Sequence, residues 1–446
     1  MGIFSSLNRK QKEAAAILQI GTFLEYFDLM LYVHMSVILN ELFFPKTDPH
    51  VAQLIAAMSF CSTFVFRPFG ALFFGYIGDT FGRKHTVIIT TFMMAISCVF
   101  MAVLPTYAQI GIIATWGVTL CRIFQGLSSM GEMVGASLYL TELIPAPARY
   151  PIVSFLGCAD CLGTVAALAV AAGVLVLGLE WRFAFVIGAL IATIGIIART
   201  ALRETPEFAN AKIRIKNKLE TANINNVSLE KDPIFNQKVN RKTVLAYFFI
   251  SCSRPVCIYF IYIYCSSILK YSFHYSPLQI IKQNLILAII EFIGRLFFAY
   301  LSYIIHPLKI VKVKLIIFST LALFTPYLLS KVQTPEQLLI VQSFLCFFTL
   351  SSAPAAAVLF LHFPVFKRFT YASFIYSLSR ALMYIIVSFG LVYLTKNFDY
   401  WGLLVVFVPL LISFKWGINH FEILEAEEVE KNNFQEKDSN HLLSGY

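Results

Sequence analysis

Apolar runs long enough to cross a bilayer recur along the whole chain. They lie near residues 16–39, 51–77, 86–104, 109–141, 152–177 and 182–201, and again near 243–269, 278–304, 314–330, 337–361, 371–394 and 401–420. A span needs about 20 apolar residues. A backbone in hydrocarbon must satisfy its own hydrogen bonds, so each run is expected to be a helix. Charged residues make up 13% of the 446 and hydrophobic ones 58%, whereas soluble domains carry about 25% charged residues. Too little polar surface is left for a water-soluble core, and lipid must be the solvent. The expected fold class is an all-α membrane protein with twelve transmembrane helices.

The runs come as six, a polar break, and six. Residues 203–242 hold nine Lys or Arg with Asn and Gln between them, the composition of a solvated linker. The chain is therefore expected to divide into a six-helix bundle (1–202), a cytoplasmic linker (203–242), a second six-helix bundle (243–420) and a cytoplasmic tail (421–446). With both termini inside, inner loops hold twenty Lys or Arg and outer loops five, namely Lys46, Arg182, Lys270, Lys331 and Lys396. By the positive-inside rule this places both termini in the cytoplasm of a multi-pass protein of the cell inner membrane. The basic N-terminus runs into a segment that contains Glu25 and Asp28 and lacks a small-residue cleavage site. It reads as the first membrane helix and not as a signal peptide.

Several function classes drop out. The net charge of +10 is spread in short runs between apolar stretches, so no nucleic-acid partner is expected. Nine cysteines all fall in apolar stretches, and the Cys158/Cys161 pair has no second pair or nearby His, which argues against a disulfide framework or metal centre. The eight histidines are scattered, and no catalytic set or phosphate loop is present. Neither an enzyme nor a cofactor is expected.

The chemistry sits in a few intramembrane charges. Glu25, Asp28 and Tyr32 follow i, i+3, i+7 spacing on the first helix, and Arg122, Gln125, Ser129 and Glu132 follow 3-4-3 spacing on the fourth, so each set shares one helix face. Ionisable residues in a membrane are costly and read as functional. Asp28 and Glu25 can take up and release a proton, or form a static ion pair with Arg122 or Arg67. Asp160 adds an acid in the fifth helix, with a cavity role or a packing role open. Arg254, Glu291, Arg295 and Arg380 lie in the second six helices. Glu291 and Arg295, four apart, can form a self-contained pair, whereas Arg254 and Arg380 have no acid nearby in sequence. A substrate carboxylate held between Arg122 and Arg254 or Arg380 is therefore expected. Tyr26, Tyr32 and Trp116 are possible cation–π partners for a quaternary ammonium, with membrane packing the simpler reading.

Between the second and third helices stands Gly75-Tyr-Ile-Gly-Asp79-Thr80-Phe-Gly82-Arg83-Lys84, and Arg122-Ile-Phe-Gln125-Gly126 and Glu142-x-x-Pro145-x-x-x-Arg149 follow. These resemble the signature loop, the fourth-helix element and the following loop of the major facilitator fold, with Thr80 where a basic residue is usual. The resemblance implies two pseudo-symmetric six-helix bundles. It also implies a cytoplasmic gate in which Gly75 and Gly82 shape the turn and Asp79, Arg83, Glu142 and Arg149 form a latch. Glu25-Tyr-Phe-Asp28, Arg67-Pro68-x-Gly70, Gly131-Glu132-x-x-Gly135 and Leu202-Arg-Glu-Thr205-Pro-Glu-Phe208 together look like the metabolite:proton symporter family, nearest its proline/betaine branch. That likeness covers residues 16 to about 208 and implies that Glu25, Asp28, Arg67, Arg122 and Glu132 line or control the path of substrate and proton. The second half departs from it. Its equivalent loop, Gly294 to Lys309, lacks the Asp and later glycines, and 17 of 22 glycines precede residue 203.

The expected function is secondary active transport, as proton-coupled symport of a small carboxylate or zwitterionic metabolite by alternating access. The expected partners are substrate, protons and the lipid bilayer, and the expected state is a monomer. An exchanger or exporter of the same fold, and a ligand-binding sensor that transports nothing, are the alternatives. The sensor reading is motivated by the worn second half.

Overall fold

The computed structural model describes residues 5–44, 49–200, 205, 209–210, 213 and 237–443. Most of the expected linker, and with it most of the 202–208 motif, lies outside the described residues, as does the side chain of Glu132. The described chain forms twelve rods. The first six are α1 (Arg9–Phe43), α2 (Pro49–Thr80), α3 (Arg83–Val103), α4 (Ile112–Leu143), α5 (Arg149–Val176) and α6 (Arg182–Thr200). The second six are α7 (Arg241–Ile258), α8 (Pro277–Ile304), α9 (Pro307–Lys331), α10 (Pro335–Phe347), α11 (Val365–Phe398) and α12 (Gly402–Leu443). Among the described residues, seven stretches combine spanning length with a mean hydropathy of 1.3 to 2.3. Phe73, Trp116, Leu190, Ile316 and Ile412 each stand more than 60% exposed, an outer surface that suits lipid and not water.

Local sequence sets the helix ends and the irregular turns. Ser276 and Thr334 cap α8 and α10, each with a Gln three residues on and a Pro at the first helical position, which satisfies otherwise orphaned N–H groups. Pro255 lies inside α7, which passes through a π-helical turn (Tyr259–Tyr264) into Cys265–Ser272. The tenth span is broken. After Phe347 the chain is non-helical until a 3-10 turn at Ala353–Ala355 and a short helix Ala356–Leu361. Pro354 donates no backbone hydrogen bond and its ring would clash with the carbonyl four residues back, at Leu350, which bars a continuous α-helix through this stretch. Ser253 Oγ donates to the Leu350 carbonyl at 3.4 Å and Ser154 Oγ to the Ala353 carbonyl at 2.9 Å, so freed backbone groups find partners inside the protein.

The helices fall where the apolar runs do, but several ends differ: α1 starts at Arg9 and not near 16, the tenth span breaks at Phe347 within its 337–361 run, and α12 continues to Leu443 through the expected tail. Lys314, one of the twenty Lys or Arg counted to the inner loops although it opens the 314–330 run, is buried in α9 with its ammonium 4.5 Å from the Phe298 ring centroid. α9 starts at Pro307, two turns earlier than its apolar run, because Pro307 at the first helical position sets the start regardless of hydropathy.

Helices α1 and α5 pack together, as do α2 with α4 and α3 with both α4 and α6; in the second set α7 packs on α11 and α12, and α8 on α10. The two sets meet along α2 against α11 and α5 against α8. Those two seams frame the space between the sets.

Candidate functional site

Helices α1 and α4 bring the first two predicted faces together as an antiparallel ladder. Ser129 Oγ donates to Glu25 Oε1. Gln125 Nε2 donates to Asp28 Oδ2 at 2.6 Å, and the Arg122 guanidinium lies 3.9 Å from the Tyr32 ring centroid. Arg122 Nη1 also donates to Gln125 Oε1 at 2.8 Å. Arg122 therefore reaches Asp28 through a polarised amide and not through a direct ion pair. Asp28 Oδ1 and Arg122 Nε and Nη2 are buried with no hydrogen-bond partner among the described residues. A void of about 10 Å³ touches Glu25, Asp28, Thr91 and Cys98. It is barely the size of one water, and Glu25, Asp28, Arg122 and Gln125 are not among the residues that line the larger space between the halves.

That central space is a cavity of about 330 Å³ lined by α1, α2, α5, α7, α8 and α11. On one wall is an ion-pair network that joins the two sets of helices. Asp160 Oδ1 of α5 is 2.7 Å from Arg295 Nη1 of α8, and its Oδ2 is 3.8 Å from Arg254 Nη2 of α7. Glu291 accepts from Arg254 at 3.2 Å, from Arg295 at 2.6 Å and from the Tyr262 hydroxyl at 2.9 Å. Arg295 Nη1 also donates to the Gly157 carbonyl. Two sequence expectations are corrected here. Arg254 has acids after all, supplied by other helices, and the Glu291–Arg295 pair is not self-contained. Two acids and two arginines make the network neutral.

Two further arginines on this cavity form no ion pair within 4.0 Å among the described residues. Arg67 of α2 and Arg380 of α11 line the same cavity and are 1% and 4% exposed. Nε and Nη2 of each are buried with no hydrogen-bond partner among the described residues. Arg67 lies 4.8 Å from the Phe64 ring centroid and Arg380 4.2 Å from that of Tyr376. Such contacts contribute about 0.5–2 kcal/mol, whereas desolvating an ion costs several kcal/mol. An anion between them would supply the difference. Arg122 is absent from the described lining, so the structure does not bring it onto this cavity beside Arg254 or Arg380, the two partners expected for it. Tyr26 does face the cavity, with Tyr262 and Tyr384. Tyr32 is taken by Arg122, and Trp116 lies 63% exposed on the outside.

Below the cavity Met133 Sδ accepts from Tyr26 at 3.2 Å and Tyr376 at 3.0 Å, and beyond it the signature turn closes the bundle. Gly82 takes φ 119, a conformation that glycine adopts at no steric cost. Arg83, fully buried, donates to Glu142 Oε1 at 3.0 Å, to the Gly78 carbonyl at 2.7 Å and to the Val365 carbonyl at 2.6 Å. Asp79 accepts from the backbone N–H groups of Phe369 at 3.0 Å and Thr370 at 2.8 Å, and stands 3.4 Å from Arg83. The latch was expected from four first-half charges, but Arg368 of α11 also joins Glu142 at 3.1 Å. Arg149 Nε donates to the Ile144 carbonyl at 2.7 Å. Thr205, the one described residue of the 202–208 motif, donates to Glu142 Oε2 at 2.7 Å.

Gly75 makes the latch possible by close approach, since a Cβ there would lie 2.6 Å from Thr370 Cα. Gly75→Ala is expected to push α2 off α11 and weaken latch closure by about 1–3 kcal/mol. Spin labels at Phe81 and Lys367 would report this as a second, longer distance population. A single unchanged distance would mean that the seam absorbs the methyl group.

Comparison with known proteins agrees with this architecture. The profile of the Major Facilitator Superfamily matches residues 18–390. A proline/betaine transporter of Salmonella typhimurium is 32% identical over 301 residues, 65% of this chain and 58% of that protein. The inner membrane metabolite transport protein YhjE of Escherichia coli is 36% identical over 233 residues, 49% of this chain and 52% of that one. The chain thus spans a little over half the length of these curated relatives. Among solved structures, the proton:xylose symporter XylE bound to 6-bromo-6-deoxy-D-glucose superposes with a TM-score of 0.71 at 16% identity, covering 95% of each chain. Six described helices on each side of a central cavity, a latch built on the signature turn and a profile match across most of the sequence lead to one conclusion: this multi-pass membrane protein belongs to the Major Facilitator Superfamily.

Proposed function

We propose that the protein is a secondary active transporter that imports a small carboxylate with a proton by alternating access. The observation that carries this reading is the pair of buried, under-satisfied guanidinium groups of Arg67 and Arg380, one from each half and both on one cavity. A carboxylate bridging them would tie the halves together, so binding would be felt by the seam that must move. The cavity is at the small end of the roughly 300–1,000 Å³ usual for small-molecule sites, which suits a metabolite and not a lipid or peptide. Its described lining carries four arginines (67, 254, 295 and 380) against two acids (160 and 291), an excess of two positive charges. That excess favours an anionic carboxylate. A zwitterion such as a betaine would add its cation beside Glu291, Asp160 and the tyrosines.

In this reading the latch end faces the cytoplasm, the termini lie inside, and the conformer is closed toward the cytoplasm of a bacterial inner membrane. The working unit is a monomer. Asp28 is the coupling acid. Its Oδ1 has no partner among the described residues, so it can receive the proton while Oδ2 keeps the Gln125 amide. Protonation would weaken the hold on Gln125 and hence on Arg122, and the α1–α4 ladder would loosen.

Uptake of proline, glycine betaine, α-ketoglutarate, shikimate and citrate into proteoliposomes, with and without an inward proton gradient, tests this reading. Gradient-driven accumulation of one of them is expected. Asp28→Asn is expected to reduce it by at least about 100-fold, the loss of a required protonation step, while downhill exchange survives. Accumulation by Asp28→Asn at the parental rate would remove Asp28 from the mechanism. Binding without uptake or exchange by the parent would reject transport.

A further inference from the structure

His306, His362, Glu425 and Glu428 have no part in the transport scheme, yet three elements bring them together at the latch end. His306 sits in the α8–α9 turn, His362 follows the short helix Ala356–Leu361, and both glutamates are on the polar extension of α12. His362 Nε2 is 2.8 Å from Glu425 Oε1, and His306 Nε2 is 3.4 Å from Glu425 Oε2. One ligand atom each from His362, Glu425 and Glu428 lie within 4.8 Å of one another. Ligand atoms around a tetrahedral zinc ion stand about 3.3 Å apart, given bonds of about 2.0–2.2 Å, so small side-chain rotations would complete a shell.

The geometry points to a binding site for a divalent transition metal ion of the zinc type, held by His306, His362, Glu425 and Glu428. Imidazole nitrogens with carboxylates are a zinc donor set. Protons shared between the imidazoles and Glu425 account for two of these contacts but leave Glu428 beside another carboxylate; a bound cation accounts for all four groups. His420, on the same helix, is set apart because its Nε2 is 3.0 Å from Thr243 Oγ1.

The site adjoins the latch. His362 lies three residues before Val365, whose carbonyl takes Arg83, and the flanking Leu361 and Phe363 carbonyls take Arg368. A metal ion here would fix the turn that presents those acceptors, and would clamp the α12 extension to it. Occupancy therefore favours the conformer closed at this end.

The test is metal binding by the purified, tag-free, full-length protein after chelator treatment, read without any transport assay and so independent of the substrate proposal. Titration with zinc chloride is expected to show one ion per chain at micromolar affinity or tighter. Cobalt(II) is expected to develop ligand-field bands of a nitrogen–oxygen site, without thiolate charge transfer. His362→Gln and the exposed Glu428→Gln are each expected to weaken binding by at least about ten-fold, with unchanged melting of the metal-free protein, while His420→Gln has no effect. Absence of stoichiometric binding would overturn the assignment. So would a thiolate spectrum, or equal affinity in the His362→Gln/Glu428→Gln double variant.

Discussion

Arg380→Gln is expected to lower the apparent affinity for the carboxylate proposed above by about 100-fold, equivalent to ~3 kcal/mol for one charge-assisted contact in a desolvated site. Arg380 is 4% exposed, and two of its guanidinium nitrogens have no hydrogen-bond partner among the described residues, which leaves donors available to a ligand. Arg67→Gln should act alike. If both hold the same carboxylate, the double variant will lose less than the sum of the single losses, because neither half of the clamp keeps its geometry alone. Uptake kinetics and ligand-induced thermal shifts on the three variants would measure this. Strict additivity would place the two arginines on separate groups of the ligand, and unaltered affinity in Arg380→Gln would move the site elsewhere.

Asp160→Asn is expected to have the largest effect on stability. Asp160 is 3% exposed and balances a network in which Arg254 and Arg295 already share Glu291. Removing its charge leaves one buried positive charge uncompensated, which costs about 3–5 kcal/mol. The purified protein should melt at a clearly lower temperature. Asp160→Asn/Arg295→Gln restores neutrality and should recover much of the loss, which a simple packing defect would not. A double variant no more stable than the single one would show that the pair contributes packing and not charge balance. Both changes cross the α5–α8 seam, so the conformational equilibrium should shift along with stability.

Much of this was legible before any coordinates, and the reason is geometric. Helical periodicity and the cost of charge in lipid are local rules, so Glu25, Asp28 and Tyr32 could be placed on one face and Arg122, Gln125 and Ser129 on another. Their meeting as a ladder then needed only that α1 and α4 run antiparallel. The signature turn likewise carried its own geometry in Gly75 and Gly82. What could not be read was registration between distant helices. Arg254 looked unpaired because its acids, Asp160 and Glu291, arrive from α5 and α8. Arg368, just outside the 371–394 run and counted among the inner-loop cations, showed no local sign that it reaches Glu142. Tyr262 gave no signal at all, being one aromatic residue among many until the π-helical turn set it beside Glu291. Arg67 was read as a possible ion-pair partner of the first-helix acids or as part of a family motif, yet it lines the cavity with Arg380, while Arg122 is not among the residues that line it.

The latch is asymmetric in the kind of group each half contributes. The first half supplies side chains, Asp79 and Arg83, whereas α11 meets them mainly with main-chain groups, the N–H of Phe369 and Thr370 and the carbonyl of Val365. Main-chain groups are present whatever residue occupies a position. The receiving half can therefore drift in sequence and keep its side of the lock, while the donating half has no such latitude. An uneven mutational tolerance between two structurally equivalent bundles follows directly, and a second half stripped of its signature is compatible with a gate that still closes.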